Sequence, residues 1–143
     1  MEVHEILERN IVSENENVVI ALHKPSWDAK LKRGTTSTFS NNRKSCSRPA
    51  VLDISNIIDL FRSEIGGGNI HIEGYGTIGV SEMVSIGMSG ASQVDFLVTE
   101  DPTPTNAAHA EIVAFEPGRG AIKRNVPKGI CNKLCEALVV SVL

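Results

Sequence analysis

A chain of 143 residues, 41% hydrophobic and 22% charged, has the make-up of one globular domain able to bury about two-thirds of its unfolded surface. No apolar run nears the ~20 residues needed to span a bilayer, the acidic start MEVHEILERN lacks the apolar segment of a secretory leader, and an odd count of three cysteines argues against a disulfide framework. A cytoplasmic protein without a membrane partner is expected. The net charge of −3 excludes a uniformly basic surface yet hides an asymmetry: residues 24–48 carry seven of the 14 Lys and Arg against one acid, so they sum to about +6 and the rest to about −9.

In chain order, residues 2–12 predict a short amphipathic helix, with Val3, Ile6, Leu7 and Ile11 at helical spacing. NVVIALHK (17–24) is an apolar run bounded by Asn and Pro and predicts a strand. Residues 24–50 have no sustained period and predict a long basic polar loop, with a short strand through 36–39 as an option. Trp27 and Phe39 are its large apolar groups, able to pin it to the body or to stack on a base.

DISNIIDLFRSEI (53–65) predicts the best helix, capped by Asp53, with Ile54, Ile57, Ile58, Phe61 and Ile65 on one face and three glycines after it. The middle predicts strands at 69–76, at 77–88 with a bulge near Ser81 and Glu82, and at 93–100. DPTPTN (101–106) predicts an extended linker, since Pro102 and Pro104 cannot donate to a ladder. AHAEIVAF (108–115) predicts a strand with Ala108, Ala110, Ile112 and Ala114 on one face and His109 and Glu111 on the other. Residues 126–143 predict a helix with an apolar tail. The sum is a single α+β domain over 1–143, with a mostly antiparallel sheet of four to six strands and two or three packed helices.

Three functional readings follow. In the first, the chain is a binding or accessory module engaging an anionic partner (phosphate, nucleotide or nucleic acid) through the loop 24–48. Lys30, Lys32, Arg33, Arg43, Lys44 and Arg48 would contact phosphates, with Trp27 or Phe39 stacking. The competing structural reading is a basic loop that balances the protein's own acids.

The second starts from His109-Ala110-Glu111 with Cys131 and Cys135 downstream, a pattern similar to the His-x-Glu motif of zinc-dependent nucleobase deaminases. It implies zinc held by His109, Cys131 and Cys135, with Glu111 as proton shuttle. Three departures count against it. The cysteines are spaced Cys-x-x-x-Cys rather than Cys-x-x-Cys, no Pro directly precedes Cys131, and the triplet reads as strand where those enzymes need a helix. The cysteines read equally as small buried hydrophobes on one helix face, and the expectation is a protein without a cofactor. The third reading is a metal-free nucleotide-processing transferase or hydrolase in which residues 36–40 meet His23 and Glu111. Both enzyme readings make His109 and Glu111 the catalytic candidates.

The stretch LVTEDPTPTNAAHAEIVAF (97–115) resembles small bacterial proteins of unknown function that carry Asp-Pro-x-Pro-x-Asn-Pro-x-His-Ala-x-Ile. It matches at Asp101, Pro102, Pro104, Asn106, His109, Ala110 and Ile112 and departs at Ala107, where that pattern has Pro. STFSNNRKSCS (37–47) is similar to the Ser/Ala-Phe segment those proteins place before their first long helix, so the resemblance spans roughly 22–115. It implies a bacterial protein, with a protein partner from a multi-gene system, and no particular activity. Those proteins lack a matching cysteine pair, which weakens the zinc reading further.

Overall fold

The computed structural model describes residues 3–67 and 70–143. Its centre is a six-stranded antiparallel sheet in the order β6-β7-β4-β1-β5-β8. The strands are β1 (Asn17–Leu22), β4 (Arg43–Ser47), β5 (Gly74–Gly79), β6 (Asp95–Glu100), β7 (His109–Phe115) and β8 (Val139–Val142). A small hairpin, β2 (Trp27–Asp28) with β3 (Arg33–Gly34), stands apart. Helices α1 (Val3–Leu7), α2 (Ile54–Leu60), α3 (Val80–Gly87) and α4 (Lys128–Ala137) complete the α+β architecture.

Helices lie on both faces of this sheet, and the period of two along each strand sorts the side chains between them. In β1, Val18, Ile20 and Leu22 join Met83 of α3 and Ile130 and Leu134 of α4 in the main core. Val19 and Ala21 turn the other way, onto Ile57 of α2 and the neighbouring Phe61. This two-sided burial explains why residues 18–22, VVIAL, are apolar throughout instead of alternating. At the far end of the second face, Ile6 of α1 is fully buried against Leu97, Val113 and Phe115. Between α1 and α2 that face is left to polar residues.

Several expectations need correction. The predicted loop 24–50 is about half regular: it holds β2, β3, a 3₁₀ turn (Thr36–Phe39) and β4, which is interior to the sheet. RKSCS carries little apolar signal, and its strand state comes from backbone partners on β7, with Ser45 opposite Glu111 and Ser47 opposite His109. The predicted helix 2–12 stops at Leu7, and Ile11 instead bridges Thr99. Residues 71–73 precede the ladder, and residues 68 and 69 of the predicted strand 69–76 or its preceding turn lie outside the described residues. The apolar tail after α4 is the edge strand β8. DPTPTN closes a hairpin, with Thr103 and Asn106 exchanging backbone hydrogen bonds of 3.0 and 3.2 Å.

Residues 80–87 were expected as strand and form α3, because Val80, Met83 and Gly87 fall on one helical face and meet the core. Gly87 is where α3 touches β6: a Cβ there would lie 2.4 Å from the Val94 carbonyl oxygen and 2.6 Å from the Phe96 ring. Val94 N–H also donates to the Gly87 carbonyl at 2.8 Å, so the strand cannot readily retreat. Gly87→Ala is therefore expected to destabilise by about 1–3 kcal/mol through overpacking, although Ala favours an exposed helix interior by about 1 kcal/mol. Equal or greater stability in urea unfolding would refute the close approach.

The helix predicted at 53–65 is α2 followed by a π-helical turn (Phe61–Ile65). Ile57 and Phe61 are buried as expected, with Ile54 and Ile65 packed at their margin, while Ile58 is only half-buried. Asp53 occupies the N-cap position, yet its carboxylate accepts from Ser55 and Asn56 side chains and not from a backbone N–H.

Candidate functional site

The polar part of the second face is built by alternation on two paired strands. Arg43, Ser45 and Ser47 of β4 stand beside Glu111 and His109 of β7. Between these strands and the end of α2 is a cavity of about 250 Å³. Ser45, Ser47, Asn106, His109 and His23 supply its polar wall; Ala21, Phe61 and Ile65 supply the apolar one, with Glu64 also lining it.

The β6–β7 hairpin holds His109 in place. Asn106 is buried and bonded at both side-chain atoms: its Oδ1 accepts from Ala108 N–H at 3.0 Å, and its Nδ2 donates to Ser47 Oγ at 3.2 Å. Backbone bonds from Asp101 N–H to His109 O (3.0 Å) and from His109 N–H to Asn106 O (3.3 Å) close the turn. His109 Nδ1 lies 2.7 Å from the Asp101 carbonyl oxygen, so it must carry the donated proton. The Asp101 carboxylate is 3.4 Å from the same nitrogen. With that proton on Nδ1, the tautomer whose lone pair is on Nε2 is the one that fits this contact. His23 repeats the arrangement, with Nδ1 2.8 Å from the Lys24 carbonyl oxygen. Glu64, on the π-helical turn, accepts from the Thr105 hydroxyl and ties that turn to the hairpin.

Glu111 shares a side with His109, as the strand alternation predicts, but serves other partners. Arg43 donates to both its oxygens, from Nε at 3.0 Å and Nη2 at 2.6 Å, and Arg9 Nη1 donates at 2.8 Å. Burial alone would raise the carboxyl pKa. The hydrogen bonds from Arg43 and Arg9, with their charges, outweigh it and hold the group below its ordinary value. The carboxylate expected as a proton shuttle is thus paired with two arginines.

The six expected anion contacts divide. Arg43 is taken by Glu111. Arg48 pairs bidentately with Glu16 (2.9 and 2.8 Å) and with Glu100 at 2.7 Å. Lys44 is half-buried and also lines the cavity, and desolvation pushes its ammonium pKa down. Only Lys30, Lys32 and Arg33 stay exposed, on the β2–β3 hairpin, without an ion pair among the described residues. Two of the segment's seven cations, Arg43 and Arg48, therefore balance the protein's own acids. Trp27 and Phe39 are 8% and 2% exposed and belong to the main core, so neither ring is offered to a base.

The expected zinc set is not assembled. Cys131 and Cys135 sit on α4, over the face that Ala110, Ile112 and Ala114 present, whereas His109 faces away from it. Each thiol lies against a carbonyl, Cys131 with Val126 at 3.6 Å and Cys135 with Thr35 at 2.9 Å, and burial pushes both up in pKa. Among the described residues, no three His, Cys, Asp or Glu are placed to hold a metal ion. The metal-free constellation is also divided: Phe39 carries the 3₁₀ turn into the α4 layer, Glu111 is committed to arginines, and only His23 reaches the cavity.

Ser45, Ser47 and Glu64 escaped the sequence reading as site residues. The period-two serines of RKSCS were the available signal, masked by the cations between and beside them. Against known proteins, no family model, no curated sequence and no solved structure matches the chain.

Proposed function

We propose that this chain is a binding module for a small polar molecule held in the cavity between the π-helical turn after α2 and strands β4 and β7, with His109 Nε2 as the group that takes a hydrogen bond or proton from it. The supporting observation is convergence: segments far apart in sequence bring His23, Ser45, Asn106 and His109 to one concavity, and both imidazoles have Nδ1 committed to a backbone carbonyl. A concave site with an apolar wall and a few fixed polar groups is the usual form of a small-molecule site. Pre-set ring nitrogens lower the cost of ordering the site on binding.

A second reading, acid–base catalysis in the same cavity, is favoured by the same tautomer, since an Nε2 lone pair is what a general base requires.

The test is thermal unfolding of the wild type and His109→Ala against nucleosides, nucleotides, amino acids and amines. A ligand at 100 times its Kd stabilises by about 2.7 kcal/mol, equivalent to a melting-temperature rise of roughly 6–10 °C at this size. The rise should be lost in His109→Ala. A ligand that stabilises both proteins equally would move the site elsewhere.

A further inference from the structure

The β2–β3 hairpin is a separate feature from the cavity. Its tip, residues 30–33, reads Lys-Leu-Lys-Arg, and all four side chains are exposed. The tip is ordered: Asp28 Oδ1 accepts the backbone N–H groups of Lys30 and Leu31, both at 3.0 Å, and Lys32 takes a left-handed φ of 51° to turn the chain back. Buried Trp27, at its base, anchors the hairpin in the core shared with α4. Three cations are thus presented together on a braced loop.

We propose that this tip is a contact surface for the phosphodiester backbone of a nucleic-acid duplex. Charge complementarity selects a polyanion. The acidic balance of the remaining chain repels the same polyanion elsewhere and orients the protein tip-first.

The choice of duplex follows from the aromatic rings. Trp27, Phe39, Phe61, Phe96 and Phe115 are all buried and Tyr75 is half-buried, so the tip presents no Trp, Phe or Tyr ring to stack on unpaired bases. Without stacking, single strands lose their main sequence-tolerant source of affinity, and the duplex offers the denser phosphate array. An anionic lipid surface fits less well. Leu31, 56% exposed, is the tip's sole apolar group, and even a complete acyl chain anchors only marginally.

The experiment is fluorescence anisotropy with a labelled duplex of about 20 base pairs, long enough to span the tip many times at one charge per ~1.7 Å. Oligothymidylate of equal length and phosphatidylcholine vesicles containing phosphatidylserine are the comparison probes. Three phosphate contacts predict a slope of log K against log salt of about −2.7, or roughly 40-fold weaker binding at 200 than at 50 mM. Lys30→Gln/Lys32→Gln/Arg33→Gln should abolish binding with unfolding unchanged, and His109→Ala should leave binding intact, which separates this surface from the cavity. No duplex binding at low salt, full binding by the triple variant, or tighter binding to oligothymidylate or vesicles than to the duplex would each overturn the proposal.

Discussion

Phe61→Ala is expected to lower the unfolding free energy by about 3–5 kcal/mol, the range for an aromatic truncated in a packed core. Phe61 is 6% exposed and lies with Ile57, Val19, Ala21 and Ile72 in the small cluster joining α2 to the sheet. That cluster is detached from the main core, so the void has few neighbours able to collapse into it. The same ring lines the cavity, and the variant should also weaken any ligand held there. Urea denaturation measures the first effect, and a loss below about 1 kcal/mol would mean that α2 does not pack as described.

Glu111→Ala should cost on the order of 2–3 kcal/mol. Breaking a buried pair typically costs about 3–5 kcal/mol because the surviving charge is stranded; here Arg43 is 30% exposed and water screens part of that penalty. The pH dependence has a defined sign. The folded carboxyl titrates below its ordinary value of 4.5, so this group's contribution is complete above that value and is lost as pH falls through the lower folded one. Wild-type stability should therefore fall below pH 4.5 more steeply than that of Glu111→Ala. The reverse ordering, or a variant as stable as wild type near neutrality, would show that the Arg9–Glu111–Arg43 cluster contributes little.

Local chemistry made much of this protein legible in its sequence. The uniform apolar run of VVIAL, the helical spacing of Ile57 and Phe61, and the alternation of Ala110, Ile112 and Ala114 each state a period that one backbone geometry satisfies. The same alternation put His109 and Glu111 on one side of a strand. The i, i+4 spacing put both cysteines on α4. These are short-range properties, and the amino-acid order contains them.

What depended on long-range pairing was decided only by the tertiary structure. RKSCS has almost no apolar signal, and it is a strand because β7 offers its backbone a partner. VSEMVSIG fits either period, and contact of Val80, Met83 and Gly87 with the core selected the helix. The charge asymmetry was visible in composition, but which cations are neutralised depends on Glu16, Glu100 and Glu111, 32, 52 and 68 residues from their arginines. The cavity is of the same kind, since His23, Ser45, Asn106 and His109 come together only once β1, β4 and β7 are adjacent. A sequence lists such groups without the distances between them, and hydrogen bonds and ion pairs act only over a few ångströms.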